Sequence, residues 1–223
     1  MKLNNCLVFD LETGGLDTRT CQILEIAAIA VDPISWTPIK SSEFHSLVRP
    51  DDEETLEAGA MAVNKIPIEE LRKAPSAKAV FARFTDHVRR FGGKTTSVFT
   101  APFPAGKNIK NFDLPIMNRY CERFKIVDTN GVPKLFNRAR IFDLDDDGLR
   151  WLGQTHEVDS ISMDTLRDFF GISQEGAHTA IIDCAQTAWL ICKFQRLYRE
   201  LATKIKFKGS AKGVDFSKPE SWF

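Results

Sequence analysis

The ten residues VFDLETGGLD, from Val8 to Asp17, constrain the fold more than any other stretch of the chain. Their apolar, strand-forming start predicts a central strand over residues 5–12, yet Asp10 and Glu12 lie within it. Side chains two residues apart share one face of a strand, so these carboxylates project side by side, roughly 6–7 Å apart along the backbone. Buried carboxylates are unfavourable unless positive charge or hydrogen-bond donors compensate them. The stretch therefore predicts either a cation shared by the two acids or an acidic pair facing solvent at a strand end.

Composition limits the function classes open to the chain. The 223 residues carry 30 Lys and Arg against 30 Asp and Glu, so the formal net charge is zero. This balance argues against a polycationic nucleic-acid binder. It leaves room for an enzyme that meets phosphate charge with bound metal ions.

Cysteine usage and hydropathy indicate a cytoplasmic protein that does not contact membranes. The five cysteines are scattered and form no C-x-x-C pair, so neither a zinc site nor a disulfide framework is expected. The N-terminal segment lacks the apolar core of a signal peptide. The longest apolar run, ILEIAAIAV, is interrupted by Glu25 and is too short to cross a bilayer.

The order of the predicted elements indicates one α/β domain with a mixed sheet. Three early strands joined by short loops suggest an antiparallel meander, and alternating helices and strands follow. Strands are predicted at residues 5–12, 23–32, 42–50, 96–103 and 140–146. Helices are predicted within residues 51–66 and at 68–74, 76–93, 111–124, 163–172 and 178–201.

The C-terminal residues 203–223 are rich in Lys and turn formers and are predicted to be an extension beyond a domain of residues 1–202. Three interpretations of this extension are open. It adds weak attraction for phosphate, it is a disordered end, or it docks a partner, and the last two together are favoured.

Further acids lie within or next to apolar segments of the sequence. Asp113 begins a predicted helix after a polar loop, although an acid also suits a helix N-terminus for its dipole alone. His178 precedes the long final helix, and Asp183 lies in that helix among Ala, Ile and Cys. An Asp on an apolar face needs a partner, which is either another core group or a cation.

Taken together, three segments resemble the exonuclease motifs of the DnaQ-like, DEDDh-type 3′–5′ exonucleases of the ribonuclease H-like superfamily. They are FDLETGGLD, NFDLP and HTAIID, and the resemblance covers residues 5 to about 195. His178 stands where the tyrosine-bearing sister group places Tyr. The second motif departs from many members, because it reads G-K-N-x-x-x-F-D with Lys107 where His is common.

The resemblance implies a fold and a catalytic set. The fold is a ribonuclease H-like three-layer α/β/α arrangement with a mixed five-stranded sheet. Two Mg²⁺ or Mn²⁺ ions are held by four carboxylates: Asp10 bridges both ions, Glu12 and Asp183 hold the ion that generates the nucleophile, and Asp113 supports the second. His178 takes a proton from the attacking water.

The resemblance also implies a pocket for the terminal nucleotide. Thr13 and the neighbouring amides, including that of Gly14, bind the nucleotide, and Leu16 wedges against its base. Asn108 lines the same pocket, and Asn64 takes the place of a His that many members have.

The implied activity is metal-dependent hydrolysis at the 3′ end of single-stranded nucleic acid, with release of nucleoside 5′-monophosphates. DNA is slightly favoured as the substrate. The alternatives are an RNA-specific exoribonuclease of the oligoribonuclease or RNA-trimming type and a non-catalytic nucleic-acid-binding module. Single-stranded DNA or RNA 3′ ends and a replication or repair protein are the expected partners, and the sequence does not indicate an oligomeric state.

Overall fold

The two most apolar segments of the chain pair as the central strands of a mixed sheet. In the computed structural model, which describes residues 4–93, 98–175 and 179–205, the sheet order is β3-β2-β1-β5-β6, and β4 also pairs with β2. The pairs among β1 to β4 are antiparallel, whereas β1–β5 and β5–β6 are parallel. The strands are β1 Cys6–Thr13, β2 Ile23–Asp32, β3 Thr37–Pro38, β4 Phe44–Leu47, β5 Phe103–Gly106 and β6 Phe142–Asp143.

Helices cover both faces of this sheet and give three layers. One face of β1, with Leu7, Phe9 and Leu11, packs in a core with α3 and α4. The other face, with Cys6 and Val8, packs with α5, α6 and α7. The described helices are α1 Ala58–Asn64, α2 Ile68–Lys73, α3 Ala77–Arg90, α4 Asp113–Arg123, α5 Leu144–Thr155, α6 Met163–Phe170 and α7 Ala180–Lys204, and a 3₁₀ turn spans Glu53–Thr55.

The three-layer α/β/α class with a mixed sheet is confirmed, but the described sheet has six strands rather than five. The additional strand is β3, two residues long, which pairs with Val31 and Asp32 at the end of β2. Such a short edge strand carries no periodicity that a sequence pattern could reveal.

The strand predicted at residues 96–103 is wrong in position, and part of that range lies outside the described residues. The strand that joins the sheet is Phe103–Gly106, and its Phe103 N–H donates to the Asn5 carbonyl at 2.8 Å. Residues 98–100 form a turn instead, and Gly93 donates to the carbonyl of Thr100 at 2.7 Å. Pairing with β1 therefore overrides the β-forming preference of the earlier run.

The strand predicted at residues 140–146 is cut short by a helix. Only Phe142–Asp143 is extended, because the Asp143 carboxylate accepts a hydrogen bond from the Asp145 N–H at 3.1 Å and caps α5. The acids that follow Asp143 lie in the first turn of α5, where their negative charges interact favourably with the positive end of the helix dipole.

The longer helices agree with their sequence patterns. Ser76, the first residue of the helix predicted at 76–93, caps α3, because its hydroxyl accepts from the Ala79 N–H at 3.4 Å. The final helix α7 is the longest described and ends at Lys204. The boundary predicted between residues 202 and 203 stays a prediction, since residues 206–223 lie outside the described residues. In the described part of the chain, none of the helices has the length and apolar character needed to cross a membrane.

Candidate metal centre

Three acids from distant parts of the chain meet beside β1. Asp10 and Glu12 alternate along β1 with the core residues Phe9 and Leu11, so they point to the face that α7 covers. Asp183 lies in the first turn of α7 and extends toward them. One carboxylate oxygen from each acid lies within 4.8 Å of the others, which is close enough for a shared cation.

A fourth acid, Asp113, adjoins this group from the side of β5. Asp113 begins α4, its side chain is buried, and its Oδ1 accepts a hydrogen bond from the Leu11 N–H at 3.0 Å. The pairing of β5 with β1 ends at Val8, so the Leu11 N–H has no strand partner on this side. Asp113 thus holds the backbone between the two acids of β1, although it is not one of the three that converge within 4.8 Å.

Burial and mutual repulsion raise the pKa values of these carboxyl groups. For Asp10 the pKa rises to about 8, first because of burial and then because of the charges of Asp183 and Glu25. For Glu12 the pKa rises to about 9, with burial again first and Asp10 next. Burial is also the main reason why the pKa of Asp113 lies well above its ordinary value. The charged cluster is therefore unfavourable by itself and would be stabilised by a bound cation.

The donor set fits Mg²⁺ or Mn²⁺. All three converging ligand groups are carboxylates, and these hard oxygen donors suit such ions better than they suit zinc. Cys184, the nearby thiol on α7, donates its S–H to the Val8 carbonyl at 3.4 Å, and burial raises its pKa well above the ordinary value. That thiol therefore stays protonated and is a poor ligand.

Two charged residues of this region were missed by reasoning from the sequence. Glu25 lies on β2 opposite Glu12, is bonded to the ring of His45, and accepts from the Ala180 N–H at 3.4 Å. The sequence could have indicated Glu25 as a site residue, because it is an acid inside an apolar strand, as Asp10 is. Arg167 on α6 is buried and donates to Asp183.

Four of the residues predicted to bind the terminal nucleotide lie at the end of β1 or beside it. The Thr13 hydroxyl donates to the Gly15 carbonyl at 2.8 Å, and the Asn64 amide donates to the Thr13 carbonyl at 3.2 Å. A Cβ at Gly14 would lie 2.4 Å from Cδ2 of Leu56, so a larger residue there would have to displace the Leu56 side chain. Asn64 is thus buried as a support of β1.

Leu16 differs from these residues because its side chain is 75% exposed. It lies just beyond the end of β1, three residues after Thr13. An exposed apolar side chain this close in sequence to Glu12 is suited to contact with a base, and that contact stays a prediction.

Asn108 lies in the turn between β5 and α4. It has a φ of 50°, and its Oδ1 accepts from the Asn111 amide at 2.9 Å. Its neighbour Lys107 forms an ion pair with Asp145. The predicted contact of Asn108 with a nucleotide stays a prediction. His178, the predicted proton acceptor, lies outside the described residues.

The raised pKa values predict that the metal-free protein loses stability as the pH rises. An unfolded carboxyl titrates near pH 4, whereas Asp10 and Glu12 titrate near pH 8 and 9 in the folded protein, so between these limits the folded state binds more protons. With the metal removed by a chelator, the free energy of unfolding should therefore fall between pH 6 and pH 8. The expected slope is about 1.4 kcal/mol per pH unit for each proton that the folded state binds in excess of the unfolded state.

Denaturation in EDTA and in saturating Mg²⁺, each at several pH values, measures this slope. Bound cation replaces the protons, so the slope should be shallower with Mg²⁺. Equal slopes in the two buffers would contradict a shared cation at these acids.

The chain is similar to known proteins. Residues 7–191 match the family model RNase_T, described as Exonuclease. Ribonuclease T of Buchnera aphidicola (subsp. Acyrthosiphon pisum) is 29% identical over 202 residues, which cover 87% of this chain and 84% of that protein.

Solved structures share the fold. Cell-death related nuclease 4 superposes with a TM-score of 0.66 at 16% identity and covers 89% of this chain and 64% of its own. E. coli exonuclease I in complex with a dT13 oligonucleotide gives a TM-score of 0.67 at 21% identity and covers 95% of this chain but 46% of its own. The chain thus spans about half the length of exonuclease I, and at these identities the likeness concerns the fold alone.

Proposed function

Because the chain belongs to the RNase_T exonuclease family, we propose that it removes nucleotides one at a time from the 3′ end of single-stranded nucleic acid as nucleoside 5′-monophosphates. The observation that carries this proposal is the convergence of Asp10, Glu12 and Asp183 within 4.8 Å. A charged cluster of this kind is unfavourable for stability, and such strain is typical of a functional site.

Four carboxylates would together hold two divalent ions. Asp10, Glu12 and Asp183, with oxygens within 4.8 Å of one another, would hold one ion, and Asp113 would support the second. Such ions, when bound, would supply a water of lowered pKa and positive charge against the scissile phosphate. His178 accepts the proton of the attacking water, a role for which an ordinary His pKa near 6.5 is well matched.

The proposed binding site of the terminal nucleotide is at the end of β1. Its backbone is held by Asn64 through the Thr13 carbonyl, and exposed Leu16 stacks against the terminal base. An unpaired nucleotide can enter such a site more readily than one held in a duplex end, because its base is free to leave the stack.

The choice between RNA and DNA decides the substrate class. The DNA preference expected from the sequence has no support from the curated relatives, since the one described above is named Ribonuclease T. We therefore propose RNA 3′ ends as the first substrate and single-stranded DNA as the second. A non-catalytic binding module is a weaker proposal, because it has no need of mutually repelling buried acids. The replication or repair partner and the cytoplasmic location stay predictions.

Matched RNA and DNA oligonucleotides of one sequence, labelled at either end, test this function. With Mg²⁺ or Mn²⁺, a 5′-labelled strand should shorten stepwise and a 3′-labelled strand should release its label at once as a mononucleotide. EDTA should abolish both signals, and a complementary strand covering the 3′ end should slow them. Early release of the 5′ label would refute the polarity, and internal cuts or metal-independent cleavage would refute the exonuclease mechanism.

A further inference from the structure

Arg167 is a buried cation at the edge of the metal centre. It lies on α6, is 1% exposed, and ranks among the largest fully buried side chains of the described chain. A buried guanidinium is strongly unfavourable unless its N–H groups are paired. The pairs that Arg167 makes therefore explain why it is tolerated and what it does.

The guanidinium connects two helices through three acceptors. Its Nη1 donates to Asp164 of α6 at 2.7 Å, and its Nε donates to Gln186 of α7 at 2.8 Å. Its Nη2 donates to Oδ1 of Asp183, one of the three converging acids. A planar guanidinium with fixed N–H directions orients its acceptors more strictly than an ammonium group would. Arg167 thus fixes the carboxylate of Asp183 from the side of α6.

The charge of Arg167 reaches beyond Asp183. Asp183, to which its Nη2 donates, has a carboxylate oxygen within 4.8 Å of an oxygen of Asp10 and of an oxygen of Glu12, so all three acids lie close to the guanidinium. A guanidinium stays protonated throughout the physiological pH range. The acids therefore face a permanent positive charge whether or not a divalent ion is bound.

We propose that Arg167 is a positioning residue and an internal counter-ion of the metal centre, which holds Asp183 in place and weakens the binding of divalent cations by offsetting the charge of the same acids. The inference rests on the proposed function, because it concerns the same cation site. Two positive groups that neutralise one set of acids oppose each other, and this coupling is reciprocal. The fixed charge keeps the acids together without metal and leaves the divalent ions exchangeable.

Binding of Mn²⁺ to the chelator-stripped protein, measured by calorimetry at pH 8, tests the counter-ion. R167Q keeps a hydrogen-bond donor but loses the charge, so the dissociation constant should fall about 5-fold or more. R167K keeps the charge and loses the planar fork, so its affinity should stay within about twofold of the native value while Asp183 is held less strictly.

A second pair of variants leaves the buried residues intact. Asp164 is an exposed partner of Arg167, with 63% of its side chain accessible, and D164N leaves more of the guanidinium charge to act on the cluster. Binding of Mn²⁺ should then weaken about twofold, opposite in sign to R167Q. D168N is the matched control, because Asp168 lies on the same helix and pairs with Gln174.

The outcomes separate the two proposals. Native protein that binds no Mn²⁺ would overturn the metal centre itself. A second outcome is that the native protein binds Mn²⁺ but R167Q binds it no more tightly, while R167Q loses the same melting temperature in EDTA and in Mn²⁺. Arg167 would then be purely structural, and only its role as a counter-ion would be overturned. If R167Q does not fold, identical affinities of D164N and D168N would overturn it instead.

Discussion

Replacing Asp10 with Asn should lower exonuclease turnover by about 10³-fold or more and at the same time stabilise the metal-free protein. The loss is expected because Asp10, together with Glu12 and Asp183, offers an oxygen to the shared cation position. Removing one preorganised group that stabilises charge in a transition state typically reduces turnover by about 10²–10³-fold, and a displaced cation adds to that loss.

The gain in stability has a separate physical cause. The pKa of Asp10 rises to about 8 because its charged form is buried and repelled by Asp183 and Glu25. Asn has nearly the same shape and no charge, so the metal-free variant should gain about 0.5–2 kcal/mol in the free energy of unfolding at pH 8. With Mg²⁺ present the order should reverse, because the native protein gains the binding energy of the ion.

Turnover on a labelled oligonucleotide and denaturation in EDTA measure the two effects. The control is D86N on the outer surface of α3, where Asp86 pairs only loosely with Arg89 at 3.4 Å. Turnover near the native rate would remove Asp10 from the mechanism. A less stable D10N protein in EDTA would mean that Asp10 is a satisfied structural acid and not part of a repelling cluster.

Much of the scaffold could be predicted because its signals are local. An apolar run predicted the strand at residues 23–32, which is observed as β2, and helical spacing predicted the helix at 76–93, which is observed as α3. The match to the RNase_T family confirms the DnaQ-like resemblance that the motifs carried. The convergence of Asp10, Glu12 and Asp183 follows from the same scaffold, since α7 packs on the face of β1 to which two of these acids point.

What the sequence did not predict depends on contacts between distant segments. The true position of β5 is set by its register with β1, where Cys6 pairs with Phe103. Arg167 sits beside the apolar positions of α6, and only the approach of Asp183 from α7 makes it part of the site. Glu25 likewise becomes relevant through its strand pairing with Glu12. Periodicity assigns a residue to a face, but it does not say which charged group will meet it there.

His178, which lies outside the described residues, carries the second large prediction. The H178A variant should turn over about 10²–10⁴-fold more slowly if His178 removes a proton from the attacking water. A base of this kind must be neutral, so native turnover should fall on the acidic side of a pKa near 6.5 and the variant should lose that decline. Affinity for Mn²⁺ should not change, because the converging ligands are carboxylates.

Turnover from pH 5 to pH 9 at saturating Mn²⁺ tests the assignment. The matched control is H156N, since His156 is an exposed residue in the left-handed conformation at the end of α5, where Asn is well tolerated. H156N should keep both the rate and the pH profile. If H178A is slow but retains the native profile, the ionisation belongs to another group and His178 supports the site without moving a proton. If its affinity for Mn²⁺ also drops, the histidine orders the start of α7 and the Asp183 ligand that α7 carries.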